Sequence, residues 1–270
     1  MKLIHSLLAM IATAAAGADV VLFRTTDAIT WAGSGSDRIA TFGAQDVTSG
    51  LIARWLMAEG TGTSVADSAG TNTAYFVNDP AWTNRSGRGA IYFDGVNDAL
   101  RSSTLNLSST NVITLAFWMN WKTYANSTDM AFEYGANAGN QNAFYVNPDY
   151  GSAPAAGKFA VVMSGTSTRY NGASITRPSS NAWHHMSIVM DRTTGTNIGT
   201  TIYMDGTNQV LTLFATNDLG GTVFSATSIG LNFMSRNGAS LYGNGQLQDV
   251  RIYNRAVTSN EAWTIWNATR

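Results

Sequence analysis

The sequence contains no cysteine among its 270 residues. This absence excludes disulfide bonds, zinc sites built on thiolates and thiol nucleophiles together. Charge is also scarce: only 12% of the residues are charged and the formal net charge is −1, whereas about 25% charged residues is usual for soluble domains. A chain with so little charge and no basic cluster lacks the electrostatic footprint of a protein that binds nucleic acid or an anionic membrane surface. We therefore expect neither partner.

A long apolar run is also missing, although the N-terminus comes close to one. Lys2, the apolar residues up to Ala12 and the small residues before Asp19 form the pattern of a secretory signal peptide over residues 1–18. The same stretch also fits a retained apolar assembly arm, because apolar residues recur at helical spacing. These residues are Leu3, Leu7, Met10 and Ala14. Both interpretations stay open, and Asp19 and Arg24 leave fewer than the roughly 20 apolar residues of a membrane span.

Short apolar or alternating runs, broken by Gly, Asn, Asp and Ser, fill the rest of the chain. Residues 19–48 contain two predicted strands, 19–23 and 38–42, which pair as a hairpin, followed by a linker. Short strands at regular spacing over residues 49–270 predict an all-β sandwich. Representative strands are expected at 90–93, 112–121, 157–164, 183–191, 200–205 and 245–253. In the second of these, alternate residues share one face, which we expect to be core.

One helix is predicted, at the C-terminal end. Thr258 and Glu261 have the spacing of a capping box, in which each side chain satisfies a free amide of the first turn. Ala262, Ile265 and Trp266 then form an apolar stripe. We therefore expect a short helix to close the chain.

Six motifs follow one another along the chain: the opening strand with its Asp67 loop at 53–70, Ile-Tyr-Phe-Asp-Gly at 91–95, the central strand at 113–118, Trp-His-His-Met at 183–186, Ile-Tyr-Met-Asp-Gly at 202–206 and the last strand at 245–257. In this order they resemble the bacterial and phage members of the laminin-G-like jelly rolls of the concanavalin A-like superfamily. The resemblance covers residues 49–270 and implies a jelly-roll sandwich of two antiparallel sheets. The family includes glycan binders, adhesive modules, enzyme appendages and virion proteins, so the fold alone does not give the function.

The resemblance also implies a structural calcium ion. Family members hold calcium between the loop after the first strand and the last strand, and the matching positions here are Asp67, Asn72 and Asp249. Oxygen donors on turns suit this hard cation. Gln248 stands where the family has a second aspartate, which removes one negative charge from the predicted site.

Two loops combine an aromatic residue with polar neighbours, as glycan recognition requires. Sugar rings stack on flat side chains, and their hydroxyl groups need directional partners. The predicted ligand-binding residues are Asp149 and Tyr150 in one loop and Tyr242 and Asn244 in the other.

Catalysis is not expected. Glycosidases of this fold use a pair of carboxyl groups on one strand, but the chain has three glutamates and no Glu-x-Asp-x-Glu run. Glu261 is assigned to the helix cap, Glu59 to the opening motif, and Glu133 lacks an acid/base partner. His184 and His185 are adjacent on a strand, so their side chains point to opposite faces and cannot hold one ion together. A glycoside hydrolase is therefore a remote alternative.

Two functions from different classes remain. The first is a secreted or surface-displayed, non-catalytic module that binds a glycan or another polymer. The second is a structural virion protein, a phage capsid decoration or fibre component that assembles with itself or its neighbours through the N-terminal arm. The two hypotheses differ in the fate of residues 1–18, which the first removes and the second retains.

Overall fold

The computed structural model describes residues 46–103, 105–124, 129–135, 142–165, 169–194, 199–221, 223–225 and 230–270, together with the backbone of 28–32 and 39–43. Nineteen strands and one helix lie in these residues. The strands are β1 (Ala28–Ala32), β2 (Ile39–Gly43), β3 (Leu51–Trp55), β4 (Ser64–Val65), β5 (Ala74–Val77), β6 (Ala81–Arg85), β7 (Arg88–Asp94), β8 (Ala99–Ser102), β9 (Val112–Trp121), β10 (Phe132–Tyr134), β11 (Phe144–Asn147), β12 (Lys158–Ser164), β13 (Tyr170–Thr176), β14 (His184–Asp191), β15 (Gly199–Met204), β16 (Thr207–Asn208), β17 (Thr212–Thr216), β18 (Leu231–Phe233) and β19 (Asn244–Tyr253).

Two large antiparallel sheets form the sandwich. One has nine strands in the order β17-β13-β12-β11-β10-β18-β8-β5-β4. The other has eight, with β16-β15-β14-β9-β19-β7-β6 in sequence across the sheet and β3 paired to β19. The main apolar core draws side chains from both sheets, among them Phe117, Phe132 and Phe233. The prediction of an all-β sandwich of two antiparallel sheets is confirmed.

The central strand β9 has the bounds predicted from its alternation. Ile113, Leu115 and Phe117 belong to the main core, and the residues between them face the other side of the sheet. Trp118 is buried there as well, because its Nε1 donates to Thr269 Oγ1 at 2.8 Å and the Arg85 guanidinium lies over its ring. Strand β9 is therefore covered on both faces.

The first and last strands of the sandwich pair, as the resemblance implies. Strand β3 lies along the second half of β19, with Arg54 opposite Arg251 and Trp55 opposite Val250. Trp55 also forms an isolated bridge with Asp67. The loop after β3 lies along the opposite edge of β3, where the Ser68 amide donates to the Arg54 carbonyl at 2.8 Å, so β3 stands between this loop and the last strand.

Helix α1 spans Ser259–Thr269 and begins with the predicted capping box. Thr258 Oγ1 accepts from the Glu261 amide at 3.2 Å, and the Glu261 carboxylate accepts from the Thr258 amide at 2.8 Å. Ala262 and Ile265 pack against Ala116, Val189 and Tyr253 on the outer face of the eight-stranded sheet. No helix in the described ranges is long and apolar enough to cross a membrane.

The N-terminal hairpin differs in part from the prediction. Strand β2 coincides with the predicted second strand, but its partner is β1 at Ala28–Ala32, with Trp31 opposite Ala40. Segment 28–32 is itself rich in β-forming residues and stands only six residues before β2, so the shorter connection favours it as the partner. The predicted strand at 19–23 and the segment 1–18 lie outside the described residues.

Candidate ligand-binding face

Three of the four predicted ligand residues have polar side chains that already form hydrogen bonds within the protein. Asp149 is buried and accepts from Arg177 Nη1 at 2.5 Å. Tyr242 donates its hydroxyl to the Gly238 carbonyl at 3.2 Å, and the Asn244 amide donates to the Asp94 carbonyl at 2.9 Å. Tyr150 differs from these three, because its ring packs on another aromatic ring instead of on its own loop.

The two loops meet on the outer face of the nine-stranded sheet. Tyr150, from the first loop, and Leu241, from the second, both pack on a cluster whose buried members include Tyr145 and Val162. The Met130 amide donates to the Leu241 carbonyl at 2.9 Å, which ties the second loop to the start of β10. The two loops, which were chosen independently from the sequence, therefore border the same surface.

The register of the strands places one row of side chains across this outer face. Glu133 stands opposite Asn232 on one side and opposite Tyr145 on the other. The row continues through Val162 to Gly172. Neighbouring strands lie about 4.8 Å apart, so each member of the row is close to the next one. The row is polar at one end and apolar at the other.

The apolar end consists mainly of aromatic side chains, and we call it the aromatic face. The rings of Tyr150 and Phe214 lie 5.2 Å apart between centroids, tilted by 39°. Burial raises the pKa of the Tyr145 hydroxyl, and a hydrogen bond with Tyr150 adds to this effect. Tyr145 and Val162 are buried beneath the partly exposed members of the face. The aromatic face consists of Tyr145, Tyr150, Val162, Tyr170, Phe214 and Leu241.

The polar end consists of Glu133, Asn232 and Arg236, which we call the polar trio. Glu133 lies between the core residues Phe132 and Tyr134 and therefore points to the outer face. Its Oε2 accepts from the Asn237 amide at 2.9 Å, while Oε1 lies 3.5 Å from Arg236 Nε, too far for a good hydrogen bond. Burial raises the pKa of Glu133 to about 7, and Arg236 and the Asn237 amide offset only part of that effect.

Three atoms of the polar trio have no hydrogen-bond partner among the described residues. They are Glu133 Oε1, Asn232 Oδ1 and Arg236 Nε, and each is buried. Buried polar atoms in folded proteins nearly always have a hydrogen-bond partner, so three such atoms at one place indicate a partner that is not part of the chain. Two acceptors and one donor beside aromatic rings suit a ligand that carries hydroxyl groups, which both donate and accept, and a flat apolar surface.

The predicted calcium ligands Asp67 and Asp249 lie on either side of β3, and their carboxylate oxygens already accept hydrogen bonds. Asp67 accepts from the amides of Arg54, Ala69, Gly70 and Asn72 and from the Asn72 side chain. Burial opposes its ionisation, but these bonds outweigh burial and hold the pKa of Asp67 below its ordinary value. Asp249 lies between the guanidinium groups of Arg54 and Arg251. These residues do not fit a calcium ion in this arrangement.

The histidines and the other glutamates have structural partners. His185 is buried against Trp118, and burial lowers its pKa to about 3. His184 faces away from it, with Nδ1 2.8 Å from Asp205 Oδ2. Glu59 accepts from the Ala66 amide at 2.9 Å, and Glu261 serves the helix cap. Within the part of the chain that the structure describes, no three acidic or histidine side chains are grouped to hold a metal ion.

Comparison with known families agrees with the fold. A laminin G profile of the concanavalin A-like lectin/glucanases superfamily matches residues 94–262. The chain therefore belongs to this superfamily. No curated protein is similar enough in sequence to count as a relative.

Several solved structures have the same fold at low sequence identity. The chain is similar to the receptor-binding domain of botulinum neurotoxin type G, with 14% identity, a TM-score of 0.58, and coverage of 82% of this chain and 52% of that one. It is similar to domain 4 of AbnA, an extracellular arabinanase from Geobacillus stearothermophilus solved with arabinotriose, with 13% identity, a TM-score of 0.60, and coverage of 80% and 97%.

A third similar structure is the binding domain of Paraclostridial Mosquitocidal Protein 1, with 16% identity, a TM-score of 0.59, and coverage of 82% and 52%. The chain spans about half the length of the two toxin binding domains and nearly all of the arabinanase domain. At these identities the likeness concerns the fold alone.

Proposed function

We propose that the protein is a non-catalytic binding module that recognises a carbohydrate on the outer face of the nine-stranded sheet. The observation that carries this proposal is the polar trio beside the aromatic face: Asn232 Oδ1 has no hydrogen-bond partner among the described residues, and Glu133 Oε1 and Arg236 Nε have only each other, at 3.5 Å. A sugar can interact with both the polar trio and the aromatic face. Its hydroxyl groups complete the hydrogen bonds of Glu133, Asn232 and Arg236, and the apolar face of its ring stacks on Tyr150 or Phe214.

The similar structures support a binding role and an extracellular setting. One is a domain of an extracellular arabinanase in complex with arabinotriose, and two are binding domains of toxins. A module of this kind acts outside the cell, secreted or displayed on a surface. The signal-like pattern of residues 1–18 agrees with this localisation, although these residues lie outside the described ranges.

A glycan array on the purified protein, followed by calorimetric titration with the best hit and with arabinotriose, tests the proposal. We expect saturable binding of at least one soluble oligosaccharide. An array and titrations without any saturable binding would contradict a carbohydrate ligand, and they would leave a buried water as the partner of the polar trio.

Variants locate the site. Phe214→Ala removes a ring of the aromatic face, and Glu133→Gln replaces the carboxylate of the polar trio with an amide of the same shape. We expect each to weaken binding by about tenfold, which corresponds to about 1.4 kcal/mol. Trp263→Ala is the matched control, because Trp263 is an exposed aromatic residue on α1, which packs on the other sheet. Equal affinity in Phe214→Ala and Trp263→Ala would place the ligand elsewhere.

The alternative function, a virion structural protein that assembles through an N-terminal arm, depends on residues 1–18. Since these residues lie outside the described ranges, that hypothesis stays a prediction from the sequence. Mass spectrometry of the N-terminus of the natural protein separates the two. Cleavage near residue 18 agrees with secretion of a binding module, and an intact Met1 agrees with a retained arm.

A further inference from the structure

Four charged side chains form a closed ring where β3 and β19 pair, and we call it the guanidinium ring. Its members are Asp46, Arg54, Asp249 and Arg251. Arg54 donates through Nε and Nη2 to the two oxygens of Asp249 at 2.8 and 3.1 Å. Arg251 donates to the same two oxygens, through Nε at 3.1 Å and Nη2 at 2.7 Å. Asp46 closes the ring by accepting from Nη1 of Arg54 at 2.6 Å and from Nη1 of Arg251.

The ring leaves Asp249 no free lone pair. An ionised carboxylate has about four acceptor positions, and four guanidinium N–H groups point at those of Asp249, two at each oxygen. Asp67, in the neighbouring loop, accepts five N–H groups, as described above. Calcium needs six to eight oxygen ligands with lone pairs directed at it. The lone pairs of Asp67 and Asp249, the two carboxylates that would hold the ion, are instead directed at N–H groups.

The charge balance of the guanidinium ring also disfavours a bound calcium ion. Two guanidinium groups and two carboxylates make the ring neutral, and its centre is dehydrated: the side chains of Arg251 and Asp249 are 1% and 3% exposed. Burial alone would raise the pKa of Asp249, but Arg251 and Arg54 lower it to about 2. A divalent cation added beside this ring would meet two guanidinium groups, and neither carboxylate of the ring would be left to balance it.

We propose that the guanidinium groups of Arg54 and Arg251 take the place of a metal ion at the junction of the first and last strands, so that the domain folds without calcium. Like a bound cation, they draw together carboxylates from distant segments: Asp46 ahead of β3, and Asp249 in β19. Unlike a cation, they belong to the chain and cannot be removed by a chelator. This inference is independent of the proposed carbohydrate site, since it concerns the opposite sheet.

Thermal unfolding of the full chain tests the proposal, with the protein first stripped of metal with EDTA and then measured in millimolar calcium chloride and in EDTA. We expect the same midpoint in both, and no saturable heat when calcium is titrated into the stripped protein. A midpoint that rises with calcium in the wild type but not in Asp249→Asn would overturn the proposal. A rise of equal size in both would mean that calcium binds away from the ring, and it would support the proposal that the ring itself holds no ion.

Asp67→Asn gives a second way to locate any bound ion, and it applies even if Asp249→Asn does not fold. Asp67 lies in a surface loop, and asparagine keeps its shape while removing the charge. If calcium binds the wild type, loss of binding in Asp67→Asn would overturn the proposal, and unchanged binding would support it. Terbium, a luminescent substitute for calcium, provides the readout, because Trp55 Nε1 donates to the Asn72 carbonyl at 2.7 Å and can sensitise an ion held at this loop.

Discussion

The ring of Phe214 lies on the backbone of Gly172: a Cβ added to Gly172 would stand 2.4 Å from Phe214 Cε2 and 2.5 Å from Cζ. Gly172 is an interior residue of β13, opposite Val162, where glycine has no role in a turn. Its missing side chain makes room for the ring, and the ring in turn contacts Tyr150. The aromatic face therefore depends on a residue with no side chain.

Gly172→Ala tests this dependence. The added methyl group cannot fit beneath the ring, so Phe214 must move away from Tyr150, at a cost of about 1–3 kcal/mol in the free energy of unfolding. We expect Gly172→Ala to weaken carbohydrate binding as much as Phe214→Ala does. Gly221→Ala is the control, because its Cβ would meet only Asn142 Oδ1, at 3.3 Å. Wild-type affinity in Gly172→Ala would show that Phe214 does not contact the ligand.

Glu133 predicts a pH dependence of stability. Burial raises its pKa from 4.5 to about 7 in the folded protein. Between these values the folded state holds a proton that the unfolded chain releases, so the free energy of unfolding falls as the pH rises from about 4.5 to about 7. The full effect is of the order of 3 kcal/mol.

Urea denaturation of the wild type and of Glu133→Gln at about pH 5 and about pH 8 measures this contribution. Because glutamine does not titrate, we expect the wild type to lose stability relative to the variant as the pH rises. If the two proteins had parallel pH profiles, the carboxyl group would have an ordinary pKa and a well-solvated environment.

Asp249→Asn tests the guanidinium ring as a source of stability. The substitution leaves two guanidinium groups, one of them fully buried, with a single carboxylate. We expect a loss of about 3–5 kcal/mol in the free energy of unfolding, measured by urea denaturation. Asp218→Asn is the control, because Asp218 is 61% exposed and lies 4.0 Å from Arg169, so that its loss should cost under about 1 kcal/mol. Similar costs for the two would mean that the ring is solvated.

Thr258→Ala removes the oxygen that caps α1. We expect a loss of about 0.5–2 kcal/mol, measured by thermal or urea unfolding. Thr264→Ala, within the same helix, is the matched control, because Thr264 makes only a bond back to the Asn260 carbonyl and alanine has the higher helix propensity. An equal loss in both variants would show that the cap contributes nothing of its own.

Local pattern was enough to predict the elements of the fold. Strand β9 has its predicted bounds because ten residues of alternating and β-branched character leave no other periodicity, and the cap of α1 follows from the spacing of Thr258 and Glu261. The sandwich itself followed from the order of six motifs. Prediction succeeded where the determining residues are close in sequence.

The candidate site could be predicted only in pieces. Tyr150 was recognised as an aromatic residue in a polar loop, but its neighbour Phe214 is 64 residues away and reaches it through a bulge in the pairing of β13 with β17. Glu133 was noted as a lone carboxylate. Tyr145 was not singled out from the sequence, and the register of β10 with β11 is what places it beside Glu133.

The predicted calcium ligands illustrate the same limit. Asp67 and Asp249 were chosen because a family resemblance aligns them, and they lie on either side of β3. What the resemblance did not include is Arg54 opposite Arg251 in the β3–β19 ladder. Both arginines stand inside the motifs that were compared, so the excess of positive charge near the predicted ligands was the available signal.

The guanidinium ring also bears on where the folding unit begins. A boundary at residue 49, drawn from the sequence motifs, falls after Asp46 and Val47. Yet Asp46 bridges Arg54 and Arg251, and the Val47 carbonyl accepts from the Tyr253 hydroxyl at 3.0 Å. A fragment that begins at residue 49 would lack Asp46. It would keep Arg54 and Arg251 with Asp249 alone, which leaves one positive charge unbalanced beside the buried pair of Arg251 and Asp249. We therefore expect a fragment that begins at residue 46 to be more stable than one that begins at residue 49.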